Sequence, residues 1–267
     1  MANLLTCLVT GATDGIGHQT AKELLARGFR VLVHGRSEAK AARAAQALGA
    51  GAVPVWGDFA ELAQVRALAA QVQREAPVLD VLLNNAGVYL QRRQLTKDGH
   101  ETTFQVNHLA HFLLTGLLLP QVRAAPQGRV VNVASQVHSS GRLDFDDLDL
   151  SRGFDGYSAY ANSKLANVYF THALARRLEG TAATTCALHP GVIGTKLLRS
   201  GFGGFGGASL EQGARTSVYC ATAPELAKVS GRYYSDAREA PCARHAHDEA
   251  AEERLWAISA RWTGLPG

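Results

Sequence analysis

No stretch of the 267 residues is apolar for long enough to cross a bilayer, which takes roughly 20 residues; the run at 113–120 is too short. The first residues, Met1-Ala2-Asn3-Leu4-Leu5, offer no basic region, apolar stretch and cleavage site, so secretion is not expected. Basic residues exceed acidic ones (27 against 23), yet they form no run: Arg27, Arg30, Arg36, Arg92, Arg93, Arg176 and Arg177 are scattered. That pattern argues against a nucleic-acid partner and leaves a solvated surface with some attraction for an anionic cofactor. Cysteine is scarce. Cys7, Cys186, Cys220 and Cys242 lie far apart without metal or redox spacing, and Cys7 and Cys186 fall in expected buried strands as small core residues. A reduced, cytoplasmic setting without a membrane partner is therefore expected. No internal repeat appears, and no linker divides the chain.

Apolar residues are plentiful, 46% against 19% charged, which suffices for a large core. Strand and helix patterns alternate. Strands are expected at 4–10, 30–34, 53–56, 78–83, 129–134 and 184–188, with a short one at Arg232-Tyr233-Tyr234. Helices are expected at 16–27, 37–48 (Ser37 as N-cap), 62–75, 101–119 ending at Pro120, 157–178, 209–221 and 248–262. Such alternation builds parallel βαβ units, and several in series give a single-domain α/β fold with a doubly wound parallel sheet of the Rossmann type. Residues 191–210, with a glycine-rich stretch, are expected to form a lid, and 237–267 a helical tail.

Thr10-Gly11-Ala12-Thr13-Asp14-Gly15-Ile16-Gly17 lies between the first strand and the first helix. Gly11 allows the tight turn, Gly15 lets the backbone approach a pyrophosphate, and Gly17 permits close helix–sheet contact. The helix N-terminus adds unpaired donors and the positive end of its dipole. Thr13, Asp14 and Ile16 belong with the glycines as cofactor-binding positions. The second strand ends His34-Gly35-Arg36-Ser37, where an NAD site carries an acid. Arg36, beside Ser37, suits a 2′-phosphate, so NADP(H) is expected over NAD.

Tyr160 and Lys164 are i,i+4 in Tyr157-Ser158-Ala159-Tyr160-Ala161-Asn162-Ser163-Lys164, about 6 Å apart along one helix face. A neighbouring ammonium is expected to lower the phenol's pKa, letting Tyr160 exchange a proton with a carbonyl oxygen as hydride arrives at carbon. Tyr157 shares the face but lies two turns from the lysine. Ser135 ends the fifth strand, at the carboxyl edge where doubly wound sheets bind ligands; Ser139 and Ser140 compete for its role.

With these landmarks the chain resembles the short-chain dehydrogenase/reductase family, from its T-G-x-x-x-G-x-G turn to its Y-x-x-x-K pair. The insertion Asp144-Phe145-Asp146-Asp147-Leu148-Asp149 resembles that of members related to retinol dehydrogenases and WW-domain oxidoreductases; its acids read as a solvated loop. The resemblance implies a carbonyl or alcohol substrate, with Ser135 and Tyr160 on the substrate oxygen. It implies that Lys164 also holds the nicotinamide ribose and that Asn107 holds a water feeding protons to the lysine. Asp58 and Phe59 would contact adenine. Asn85, Ala86 and Gly87 of Asn84-Asn85-Ala86-Gly87 would admit the ribose, and Pro190, Gly191, Val192, Ile193 and Thr195 would seat the nicotinamide. The turn departs from many NADP-using relatives, which carry a basic residue where this chain has Asp14. The N-terminal anchor of many retinol enzymes is not expected here, so retinoid use does not follow.

Phosphoryl transfer and Ser–His–Asp hydrolysis are disfavoured, since neither a P-loop nor a G-x-S-x-G elbow is present. No metal is expected: His108 and His111 are i,i+3 but show no third ligand, and His245-Ala246-His247 reads as exposed tail. The expectation is an NADP(H)-dependent oxidoreductase acting on a lipophilic substrate, with Lys196-Leu197-Leu198-Arg199, Phe202 and Phe205 in the lid. Two alternatives stay open: an NAD-dependent enzyme of the same fold, and a non-catalytic dinucleotide-binding regulator. A homo-oligomer paired through the two long helices, around 107–119 and 160–178, is also expected.

Overall fold

The computed structural model describes residues 4–203 and 206–266, so Phe205 and the first three residues lie outside the described residues. Its centre is an eight-stranded sheet in the order β3-β2-β1-β4-β5-β6-β7-β8. The strands are β1 (Thr6–Val9), β2 (Arg30–Gly35), β3 (Ala52–Trp56), β4 (Val81–Asn84), β5 (Arg129–Val133), β6 (Thr184–His189), β7 (Arg232–Ser235) and β8 (Arg238–Glu239). All pairings are parallel except β7 with β8. The doubly wound expectation holds. Neighbouring residues of one strand enter opposite cores, Leu8 on one face and Cys7 with Val9 on the other. That double burial explains the near-continuous apolar strands.

The helices are α1 (Gly15–Ala26), α2 (Glu38–Leu48), α3 (Leu62–Glu75), α4 (Thr102–Phe104), α5 (Ala110–Arg123), α6 (Gly156–Arg177), α7 (Lys196–Phe202), α8 (Leu210–Thr222) and α9 (Glu249–Thr263). α3, α5 and α6 supply one core, with Leu68, Leu113 and Phe170 fully or almost fully buried. α1, α2 and α8 supply the other, with Leu24, Ala45 and Cys220. Strand order reverses between β1 and β4, so the loops after them splay apart and leave a crevice at their carboxyl ends.

Four elements depart from expectation. The long helix does not end at Pro120 but runs to Arg123, and Ala124 N still bonds Pro120 O at 3.0 Å. An interior proline costs about 3 kcal/mol; burying Val122 completely, in the turn that follows, returns an amount of the same order, about 1.5–3 kcal/mol. At its other end a π-turn, Gln105–Leu109, interrupts the helix around Asn107. β8 follows a two-residue turn in which Asp236 and Ala237 both have positive φ, 54° and 55°. This is the backbone of a type I′ hairpin without its usual glycine, which hid it in the sequence. Lastly, Ser37 stands at the N-cap of α2 but makes no side-chain capping bond.

The outer face of α5 and α6, the long helices through which two chains were expected to pair, carries α9 of the same chain. Trp256 stacks at 5.9 Å on Phe170 and edge-on at 4.8 Å to Phe112, and the Arg177 guanidinium lies 3.9 Å over its ring. Arg176 and Arg177 pair with Glu252 and Glu253, and His108 Nε2 lies 2.8 Å from Ser259 Oγ. These contacts lie within one chain. Among the described residues, no helix is long and apolar enough to cross a membrane.

Candidate active site

The crevice over β1 and β4 opens into a cleft of about 1370 Å³. Its floor is the glycine turn. Gly11 (φ 65°) leaves no room for a side chain, since a Cβ there would lie 2.9 Å from Ala86 Cα. Gly17 is equally confined, with Gly11 O and Asn85 Nδ2 each 2.4 Å from where its Cβ would stand. Gly15 differs: φ is 59°, and a Cβ would meet only Thr195 Cγ2 at 3.7 Å. The space above it is open for a ligand rather than filled by protein.

The turn is held from below by groups absent from the sequence expectation. Thr10 Oγ1 accepts from Asn85 N (2.8 Å) and Ala86 N (2.9 Å), joining the loops after β1 and β4. His111 Nδ1 bonds the Asn107 carbonyl at 2.9 Å, which makes Nδ1 the protonated nitrogen; Nε2 then accepts from the Thr10 hydroxyl at 3.0 Å. His34 works alike on the other side, Nδ1 accepting from Gly11 N (3.1 Å) and Nε2 donating to Gly57 O (2.9 Å). Burial drives His34 down to about 4 and His111 to about 3, so both are neutral spacers. His108 and His111 therefore serve different partners and do not converge as ligands. A buried histidine three residues from another gives no sequence signal for this.

Tyr160 and Lys164 rise from the first turns of α6, whose N-cap Asp155 accepts from Ser158 N at 2.8 Å. Tyr160 is 7% exposed, whereas Tyr157 is 38% exposed and donates to Ser140 Oγ. Lys164 is buried, and its Nζ donates to Val133 O at 2.9 Å. The lysine sits 5.4 Å from the Tyr160 ring centroid. The expected lowering of the phenol is corrected: burial holds Tyr160 well above the ordinary tyrosine range, and burial likewise brings Lys164 down to about 8. The physical reason is desolvation of the buried phenol, which disfavours its charged form.

Ser135 follows β5 and faces the same cleft. Its Oγ accepts a long bond, 3.4 Å, from Val137 N, whereas the Ser139 hydroxyl is turned onto Gln136 O. That leaves Ser135 the better placed of the three serines. Asn107 lies one layer behind the wall, fully buried. Its Oδ1 accepts from Val88 N (2.8 Å), and its Nδ2 donates to Val88 O (3.0 Å) and Ser163 Oγ (2.9 Å). A Cβ on Gly87 would lie 3.5 Å from Asn107 Oδ1 and 3.7 Å from Lys164 Nζ, so this glycine is the thin partition between asparagine and lysine.

At the far end, Arg36 lines the cleft together with Lys40, a second cation that the sequence expectation omitted. Lys40 lies one turn along α2, which brings it back beside the end of β2. Ser37 does not line the cleft, nor does Asn107; every other expected cofactor or catalytic position does. Asp14 caps α1 by accepting from Gly15 N (2.8 Å) and is held below the usual carboxylate range by its bond to Lys196. α7 forms within the expected lid, with Thr195 as its N-cap. The lid's two ends are tied by Ala208 N to Val192 O (2.8 Å) and Gly194 N to Ala208 O (3.1 Å).

A dinucleotide fits this arrangement. It would find a glycine floor with open space over Gly15, the N-terminus of a 12-residue helix, and two cations beyond the second strand.

Comparison with known proteins agrees with this geometry. A family model described as short chain dehydrogenase matches residues 5–202. Human retinol dehydrogenase 13 is 42% identical, over 97% of this chain and 85% of its own. Human retinol dehydrogenase 14 is 40% identical, over 97% and 86%. Among solved structures, an uncharacterised protein from Mycobacterium paratuberculosis superposes with a TM-score of 0.84 at 33% identity, covering 98% of this chain and 94% of the other.

Proposed function

Since the chain belongs to the short chain dehydrogenase family and is an oxidoreductase binding a nicotinamide dinucleotide, we propose that it uses NADP(H) and acts on a lipophilic carbonyl or alcohol. The carrying observation is the meeting of Ser135, Tyr160 and Lys164 in the cleft whose far end holds Arg36 and Lys40. Bound there, the dinucleotide supplies or accepts the hydride. Gly11, Gly15 and the start of α1 would hold its pyrophosphate, Lys164 its nicotinamide ribose, and Arg36 with Lys40 its 2′-phosphate.

Tyr160 is the proton carrier. Because burial keeps its phenol protonated through neutral pH, it is set to give a proton to a substrate oxygen, which favours carbonyl reduction. Ser135 donates to the same oxygen and fixes its position. Lys164, with its ordinary value lowered to about 8, keeps a charge near neutrality and favours phenolate once the proton has left. Asn107 acts as a positioning residue, bracing the Val88 backbone and Ser163 behind the lysine.

The lipophilic substrate is supported by the lid side of the cleft. Val192, 61% exposed, lines it with Leu197, Leu198 and Leu210. Relatives bearing the name retinol dehydrogenase point to the same class. In this reading the described part of the lid, with α7 and the 192–194 segment tied to Ala208, covers that substrate. A homo-oligomer, in this reading, uses a face other than α5 and α6, which α9 already covers.

The test is NADPH oxidation against a panel of long-chain aldehydes and ketones, with Tyr160→Phe as control. Turnover lost in the variant while NADPH binding persists supports the reading. Wild-type protein that binds NADPH but oxidises it with no member of the panel refutes it.

A further inference from the structure

Outside the cleft, a second group of chemically able side chains meets toward the C-terminal end of α6. His172 projects from that helix, while Cys242 and His247 belong to the segment between β8 and α9. Their ligand atoms all lie within 4.8 Å of one another, the one such group that could hold a metal among the described residues. Cys242 Sγ is 3.1 Å from His247 Nε2, and the two imidazole rings stack at 5.1 Å with a 9° tilt.

The inner histidine is already oriented. His172 Nδ1 lies 2.8 Å from Glu252 Oε1, leaving Nε2 turned toward the thiol. Glu252 is itself 3% exposed and anchored through Oε2 to Arg176. A buried carboxylate that fixes the tautomer and direction of a histidine is the outer support that metal-ligating histidines have. Burial disfavours charge on His172, yet its bonds to Cys242 and Glu252 outweigh that and lift it to about 9.

We propose that His172, Cys242 and His247 bind a zinc-class divalent cation, with water in a fourth position. One thiolate and two imidazoles are the donor set such ions select, and tetrahedral ligation needs N–metal and S–metal distances of about 2.0–2.1 and 2.3 Å. The outer ligands are accessible, His247 exposed and Cys242 partly so, which gives the ion a way in. On binding, any protons on the Cys242 thiol and on the ligating histidine nitrogens are released to solvent. The ion would tie the segment before α9 to the helix that carries Tyr160 and Lys164. This site rests on different residues from the catalytic reading and stands or falls separately.

Cobalt(II) titration of the full chain, stripped of metal by chelator and fully reduced, tests it. The expected result is one equivalent bound with a sulfur-to-cobalt charge-transfer band and tetrahedral visible bands. Cys242→Ser should abolish the charge-transfer band, and His247→Ala should weaken binding by roughly tenfold or more. Circular dichroism and thermal unfolding of both variants check that they fold. The other three thiols, Cys7, Cys186 and Cys220, are buried and serve as internal controls. A wild-type titration without the sulfur band, or an unchanged band in Cys242→Ser, overturns the proposal.

Discussion

Lys196, the first residue of α7, and Asp14, the N-cap of α1, form an ion pair of 2.5 Å between Nζ and Oδ2 across the mouth of the cleft. Asp14 would otherwise set a bare carboxylate beside the pyrophosphate floor. Both side chains are largely exposed, 82% and 61%, so the pair itself is worth little, about 0.2–1 kcal/mol. Lys196→Met is expected to weaken dinucleotide binding two- to fivefold at low ionic strength, the effect shrinking as salt screens the charge. Fluorescence titration with NADPH at low and high salt checks this; an effect independent of salt would contradict it.

Tyr160→Phe removes the proton donor without altering the ring that packs 5.5 Å from Tyr89. Turnover should fall by about 10²–10⁴ while the dissociation constant for NADPH stays within twofold. For the wild type, reduction should hold through neutral pH and decline as pH rises past about 8, where Lys164 loses its charge; alcohol oxidation should instead gain on the way up from neutrality. Full-range pH profiles in both directions decide the matter.

Arg36→Ala and Lys40→Ala should each raise the NADPH dissociation constant by about 10- to 100-fold, the value of one charge-assisted hydrogen bond, and leave NADH nearly unchanged. Calorimetric titration of both cofactors reads this directly. Equal losses for the two cofactors would show that these cations do not meet the 2′-phosphate.

Acid should destabilise the protein through its buried neutral histidines. His34 and His108 are lowered by burial to about 4, and His111 to about 3, from the ordinary 6.5. The unfolded chain therefore binds more protons between those values and 6.5. The stability is complete above 6.5 and lost as pH falls toward 4 and 3, at about 1.4 kcal/mol per pH unit for each histidine. His172 runs the other way: raised to about 9, its contribution is complete below 6.5 and lost as pH climbs through 9. Thermal unfolding from pH 5 to 10 should show a broad maximum, and His108→Gln should flatten only the acid limb.

Trp256→Ala should cost about 3 kcal/mol and uncover the aromatic face of α5 and α6. Light scattering during chromatography is expected to show the variant associating through that face at concentrations where the wild type does not. Unchanged mass and unchanged melting temperature would show that α9 is dispensable as a cover.

Much of the site was legible because its signals are local. The glycines of the turn, the i,i+4 spacing of Tyr160 and Lys164 and the strand-end position of Ser135 each follow from backbone geometry within a few residues. The same locality let the alternation of strands and helices give the doubly wound sheet. What escaped was set by contacts between distant segments. His34 and His111 brace the turn through Gly11 and Thr10, 23 and 101 residues away, and nothing in their neighbours announces it. β8 depends on two non-glycine residues held at positive φ, and the helix passed Pro120 because of what Val122 buries.

Residue order alone thus determined which elements form and which chemistry collects at their ends, since periodicity and turn geometry act over one or two turns of chain. Only the folded arrangement decided protonation and company. It enclosed Tyr160 so that desolvation raises its phenol, laid α9 over the long helices, and brought Cys242 against His172 from 70 positions away. Those outcomes depend on dielectric surroundings and on separations through space, which a linear pattern does not encode.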